Sequence, residues 1–227
     1  ALGTLVTGDN CSVASITNNA PITFPLGATT VTWTVTDGSG NVQTANQLVT
    51  VVDTTLPTIT APANIVTTTT SGCTATGIVL GTPVTADNCS VASVTNNAPT
   101  LYPVGTTTVT WTVTDGSGNV ATATQTVTIN DTALPTITAP ANVIVSTNNE
   151  CSAINVALGT PVSTDNCTVA SVTNNGLSSY PLGVTTVTWT VTDASGNTAT
   201  ATQTVTVNDT TLPTIVAPAA LTVSSSA

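Results

Sequence analysis

The 227-residue chain has no lysine, arginine, histidine or methionine, against ten acidic residues, for a formal charge of −10. Without imidazole, amine or guanidinium groups it cannot build a Ser-His triad, a lysine Schiff base, a His-ligated zinc site or an arginine phosphate clamp. Nucleic acid is excluded as a partner, because affinity for its phosphates comes from cationic side chains. Lysine-dependent isopeptide staples are excluded too, and trypsin finds no site. Aromatic residues are only 3% of the chain. No apolar run approaches the roughly 18 residues of a membrane helix, and no basic-then-apolar leader opens the sequence, so mature sequence without membrane insertion is expected.

What is present is threonine, the commonest residue by a wide margin, together with valine and a punctuation of 13 prolines and 15 glycines. That is the composition of many short strands. With 40% apolar and only 4% charged residues, disorder is not expected. The sequence repeats itself. Gly8 to Pro21 returns at Ala86 to Pro99 and again at Thr164 to Gly176, and the same interval separates Trp33 from Trp111, Trp111 from Trp189, and Cys73 from Cys151. The expected division is 1–55, the C-terminal part of one repeat; 56–133 and 134–211, two complete repeats; and 212–227, the first strands of another. The chain reads as a window on a longer array.

Within a repeat, Val109, Trp111 and Val113 alternate with threonines, which makes a half-buried strand with Trp111 inward. The turn Gly116-Ser117-Gly118-Asn119 leads into a second alternating run with Val127 and Ile129 inward, closing a long hairpin. Shorter strands are expected at Thr58 to Thr60, Ile65 to Thr69, Ala75 to Leu80 and Val91 to Asn96. The fold class is all-β: tandem immunoglobulin-like sandwiches in a rod-like array, joined by short Leu-Pro linkers with little freedom to swivel.

The strings PTITAPANI (57–65), PVGTTTVTWTVTDGSGN (103–119) and TVTIND (126–131) resemble the hyalin repeat, over the whole chain. The resemblance implies tandem extracellular modules serving adhesion or matrix. Many members carry a second cysteine pair, where this chain has Ala61 and Ala123.

Nine of the ten acidic residues occupy three repeat-equivalent positions: Asp9, Asp87 and Asp165; Asp37, Asp115 and Asp193; Asp53, Asp131 and Asp209. No salt bridge within the chain can neutralise them. With the amides of Asn88, Asn119, Asn166 and Asn197 they form the hard oxygen set that Ca²⁺ takes, Asp53 meeting Asp115 and Asp87, and Asp131 meeting Asp193 and Asp165. The plainer alternative is that these aspartates only cap turns. Five cysteines read as one pair per repeat, Cys73 with Cys89 and Cys151 with Cys167, closed by a hairpin at Gly81, with the partner of Cys11 outside the segment. Reduced cysteines or an interchain bond are the alternatives. Disulfides imply an oxidising setting.

Thr54, Thr132 and Thr210 fit an O-glycosylation acceptor pattern, so glycans are further candidate partners. A glycosidase would need a carboxylate pair in a cleft, which a small, aromatic-poor sandwich does not offer. The expectation is therefore not an enzyme but a secreted or cell-surface structural segment, part of a filament of copies joined end to end and stiffened by disulfides and Ca²⁺. The competing reading is the stalk of an adhesin whose binding tip lies elsewhere.

Overall fold

A computed structural model describes residues 2–224; Ala1 and the last three residues of the 212–227 segment lie outside the described residues. All regular structure among them is β. The first repeat contributes β1 (Val13–Asn18), β2 (Gly27–Asp37) and β3 (Val42–Val51). The second contributes β4 (Thr58–Thr60), β5 (Ile65–Thr68), β6 (Thr74–Ala75), β7 (Val84–Ala86), β8 (Val91–Asn96), β9 (Tyr102–Pro103), β10 (Gly105–Asp115) and β11 (Val120–Asn130). The third repeats them as β12 (Thr136–Thr138), β13 (Val143–Ser146), β14 (Ser152–Ile154), β15 (Val162–Thr164), β16 (Val169–Asn174), β17 (Ser179–Pro181), β18 (Gly183–Asp193) and β19 (Thr198–Asn208).

The chain forms two compact units, one of Ala1–Ile65, Val79–Pro99 and Thr108–Thr126, the other of Val66–Ile78, Thr100–Thr107 and Val127–Ala227. In the first unit β1, β2 and β3 make an antiparallel meander. There too β8 pairs with β10, placing Asn96 opposite Trp111, and β4 pairs with β7.

The second unit holds a complete sandwich. Its main sheet runs β13-β19-β18-β16, with β13 parallel to β19 and the other neighbours antiparallel. The pairs β12-β15 and β14-β17 form the opposing layer. Period-two alternation decides what is inside: Val187, Trp189 and Val191 of β18 are buried while the threonines between them are half-exposed. Trp189, Val187, Val205, Val207, Ala153 and Tyr180 form the core, with Val143, Val145 and Ile137 packed against it. In the second repeat Val109, Trp111, Val113, Val127 and Ile129 are all buried, as the alternation predicts.

The expected strand Ala75 to Leu80 is cut short, β6 ending at Ala75. Gly77 adopts φ +69° and its repeat equivalent Asn155 φ +57°, a left-handed step that ends the strand. After Asn155 the chain turns at Gly159, φ +82°, packed on Pro140, and resumes as β15. Because β14 pairs with β17 but β15 pairs with β12, the flanks of this turn do not form a hairpin. Among the described residues no strand forms after Asn208.

A buried polar tie runs through each of the second and third repeats. Gln203, fully buried, accepts from Trp189 Nε1 (3.1 Å) and donates through Nε2 to the carbonyls of Ala141 (2.7 Å) and Leu158 (2.8 Å). Gln125 does the same for Trp111, Ala63 and Leu80. Both satisfy carbonyls of irregular segments that no sheet partner reaches.

Candidate metal sites at the repeat junctions

Each site is assembled from three loops. The first is the hairpin turn between β10 and β11, or between β18 and β19. In it Asp115 Oδ1 accepts from the amides of Ser117 (2.9 Å) and Asn119 (2.7 Å), and Oδ2 from Asn119 Nδ2 (2.7 Å). Asp193 is held identically by Ser195 and Asn197. Gly118 and Gly196, both at φ +91°, supply the left-handed step this turn requires. Burial pushes the carboxyls of Asp115 and Asp193 up, but these donors outweigh it and hold both below 3.8. They are charged at neutral pH and 2% exposed.

The second loop leads from one repeat into the next. Asp53 Oδ1 caps Thr55 N (3.0 Å), which holds its carboxyl low, and Asp131 Oδ1 caps Ala133 N (3.1 Å). The third is the Asp-Asn-Cys loop, where Asp87 Oδ2 accepts from Cys89 N (2.9 Å) and Ser90 N (3.0 Å), and Asp165 Oδ2 from Cys167 N (2.8 Å).

The three loops converge. Oxygens of Asp53, Asp87 and Asp115 lie within 4.8 Å of one another, as do oxygens of Asp131 and Asp165 with Cys167 Sγ. Asp193 is not part of that second group; it is joined to it through Asn197, whose Nδ2 donates to Asp193 Oδ2 (2.8 Å) and to the carbonyl of Asp131 (3.2 Å). Asn119 spans Asp115 and the Asp53 carbonyl in the same way. Asn88 and Asn166 donate to Asp53 Oδ1 and Asp131 Oδ1. These four amides thus present N–H to the aspartates in this structure and act as braces, where the sequence reading has them as oxygen ligands. Four carboxylate oxygens are left over, buried and without a hydrogen-bond partner: Asp53 Oδ2, Asp87 Oδ1, Asp131 Oδ2 and Asp165 Oδ1.

The remaining expected ligands stand apart from such clusters. Asp9 caps Cys11 and Ser12, Asp37 is held by Ser39 and Asn41, and Asp209 caps Thr211, each within its own turn. Thr54, Thr132 and Thr210 lie in the linkers just after Asp53, Asp131 and Asp209 and are exposed.

The disulfide differs from the expected pairing. Cys73 bonds to Cys167, 94 residues on, with Cα atoms 4.8 Å apart, and Cys11, Cys89 and Cys151 are free and exposed. The pairs Cys73 with Cys89 and Cys151 with Cys167 do not form, because no hairpin folds at Gly81 or Gly159. Cys151 sits beside the β14-β17 pair, its carbonyl accepting from Leu182 N, while the Cys167 loop sits at Asp131, where the repeat begins. The bond therefore joins the second repeat to the third, with Asn166 Nδ2 also donating to the carbonyl of Gly72 (3.1 Å).

Comparison with known proteins agrees with this repeat structure. The HYR domain profile matches residues 52–129 and 130–207. Hyalin of Strongylocentrotus purpuratus is 37% identical over 91% of the chain and hyalin of Lytechinus variegatus 39% identical over 86%. The chain spans only 19% and 40% of those two proteins. Among solved structures, Drosophila N-cadherin EC1-4 superposes with a TM-score of 0.37 at 10% identity, covering 82% of this chain and 59% of that one. Protocadherin Gamma B2 extracellular cadherin domains 1-5 give a TM-score of 0.34 at 14% identity, covering 82% and 46%. The two tandem profile matches and the hyalin identities place the chain in the HYR-domain family.

Proposed function

We propose that the chain is a non-enzymatic structural segment of an extracellular repeat protein, whose junctions are closed by Ca²⁺ and by disulfides so that successive repeats act as a stiff rod. The observation that carries this reading is the coincidence of two locks on one loop. Asp165-Asn166-Cys167 supplies a carboxylate to the acidic cluster, an amide to Asp131 and Gly72, and the sulfur bonded to Cys73. A bond of that kind suits an oxidising, extracytoplasmic setting.

The residues fit a hard cation. A chain without a single cationic side chain leaves four buried carboxylate oxygens unpaired, all in the two junction clusters. Asp53, Asp87 and Asp115 would hold one Ca²⁺ and Asp131, Asp165 and Asp193 another, the ion neutralising charge the protein cannot. The asparagines keep the carboxylates pointed inward, and their bonds to the Asp53 and Asp131 backbone tie the hairpin turn of one repeat to the linker before it. Affinity of roughly 10⁻⁴ to 10⁻³ M, usual for extracellular modules, would make closure reversible near millimolar calcium.

Small-angle scattering and negative-stain microscopy of the chain in millimolar calcium and in EDTA test this. A narrow distribution of end-to-end distances in calcium that broadens in EDTA is expected. The same broad distribution in both overturns the rod.

A further inference from the structure

The sulfur of Cys167, which joins the second repeat to the third, lies beside two carboxylates of the same junction. We propose that Cys73, Cys167, Asp131 and Asp165 become a four-coordinate site of two sulfurs and two oxygens for a thiophilic divalent cation of the Zn²⁺ class once the Cys73–Cys167 bond is reduced. The site belongs to the reduced chain, whereas the calcium reading above concerns the oxidised one, so each stands or falls by itself.

Cys167 Sγ and one oxygen each of Asp131 and Asp165 lie within 4.8 Å of one another. Neither carboxylate is fully engaged. Asp131, 6% exposed, accepts through Oδ1 from Ala133 N (3.1 Å) and Asn166 Nδ2 (3.2 Å), while its Oδ2 is buried with no partner. Asp165 accepts through Oδ2 from Cys167 N (2.8 Å), and its Oδ1 is likewise buried with no partner. In a chain without cationic side chains, a buried carboxylate oxygen that no donor reaches is a ligand position. Cys73 supplies the fourth donor, its Cα standing 4.8 Å from that of Cys167. The turn that carries it is pinned by Thr70 N and Ser71 N donating to Thr74 O (2.9 and 3.2 Å), and Cys73 O accepts from Val104 N (3.1 Å). Asn166 Nδ2 donates to the Gly72 carbonyl (3.1 Å) and to Cys167 Sγ (3.5 Å), so bonds that reduction does not touch hold the two cysteine loops together, and an N–H directed at the sulfur favours its thiolate.

The donor set decides which ion enters. In the oxidised chain the two sulfurs are bonded to each other and offer no thiolate, which leaves oxygens, the ligands of Ca²⁺. A dithiol reductant changes that. One of its thiolates attacks a sulfur of the pair and expels the other cysteine as thiolate; its second thiolate then resolves the mixed disulfide, and the reductant leaves as a cyclic disulfide. Two electrons pass to the cysteines, and the two protons of the dithiol go to the Cys73 and Cys167 thiols. Binding of the cation expels both protons to solvent and leaves two thiolates and two carboxylates around it. Zn²⁺ takes such a tetrahedral set, whereas Ca²⁺ needs six to eight oxygens. The ion would keep the Cys73 turn tied to the Cys167 loop after the covalent bond is gone.

The test uses the full chain carrying Cys11→Ser, Cys89→Ser and Cys151→Ser, so that Cys73 and Cys167 are its only cysteines. It is reduced with dithiothreitol, freed of the reductant under anaerobic conditions, and titrated first with Co²⁺, whose absorption reports tetrahedral geometry and thiolate ligation, and then with Zn²⁺. The reduced chain is expected to bind one Co²⁺ with thiolate charge-transfer and tetrahedral bands that Zn²⁺ abolishes, and the oxidised chain to show neither band. Asp131→Asn should weaken Co²⁺ binding by more than the roughly tenfold that an outer-shell change costs. Zn²⁺ should raise the melting temperature of the reduced chain by more than that of the oxidised one. Absence of the thiolate bands, thiolate-bound Co²⁺ indifferent to Asp131→Asn, or a reduced chain that unfolds and is not restored by Zn²⁺ overturns the site. Ca²⁺ is titrated into the oxidised chain in parallel, so a missing Co²⁺ spectrum with calcium binding intact rejects this site alone.

Discussion

Replacing Gln203 by leucine should be among the most damaging single changes available to the third repeat, although it alters no charge and little volume. The side chain is fully buried and makes three hydrogen bonds, one from Trp189 and two to the carbonyls of Ala141 and Leu158. Leucine would leave an indole N–H and two carbonyls buried without partners, each costing about 1–3 kcal/mol. Even after the gain from an apolar side chain, a net loss of about 3–6 kcal/mol follows, a large part of the stability of a small domain. In a domain of this size that lowers the melting temperature by about 15 °C or more. Gln47→Leu is the internal control. Gln47 makes the corresponding bonds to Trp33 and Leu2, but its surroundings are open to solvent, so water can replace it and a loss of about 1 kcal/mol is expected. Calorimetric and urea melts of the two variants provide the comparison. Equal small losses at both positions would rule out a role for the buried glutamine in supporting the loops of the sandwich.

Cys167→Ser opens a 94-residue loop and should cost about 4.6 kcal/mol on the chain-entropy model, seen as a lower urea midpoint for the variant, a difference that vanishes when both proteins are reduced. Gly159→Ala forces a side chain to φ +82° with its Cβ 3.3 Å from Pro140, so a melt should show a loss of about 1–2 kcal/mol. Gly72→Ala, at a position where the next repeat carries Glu150, should cost less than half as much by the same melt. Asp193 has its folded pKa depressed below 3.8, so its contribution is present above the unfolded value and is lost as pH falls through the lower folded one. Asn197→Ala removes a donor that depresses it, so acid unfolding followed by circular dichroism in EDTA should begin at a higher pH.

The long hairpins are plain in the sequence because Thr-Val alternation around Trp111 and Trp189 has only one reading once Trp must be buried. The acidic positions are plain because they recur in every repeat without any cation to pair them. The cysteine pairing is not. A constant repeat period is satisfied equally whether Cys73 pairs with Cys89 of its own repeat or with Cys167 of the next, and only the strand partners of β14 and β15 separate the two. The left-handed Asn155 is hidden for a similar reason: its equivalent Gly77 carries the signal, and asparagine in the next repeat tolerates the same backbone. Gln125 and Gln203 do leave a trace, as the one long polar side chain at an inward position of each closing strand, but their partners are carbonyls 45 and 62 residues away.

Whether the two acidic clusters bind calcium is measured most directly by calorimetric titration of Ca²⁺ into the chain, on the unaltered protein and on Asp53→Asn and Asp131→Asn. Two sites of similar affinity per chain are expected, one lost in each variant and both in the double substitution, with calcium raising the melting temperature only where a site remains. An absence of binding heat, or binding unchanged in the double variant, would overturn the calcium-closed junction.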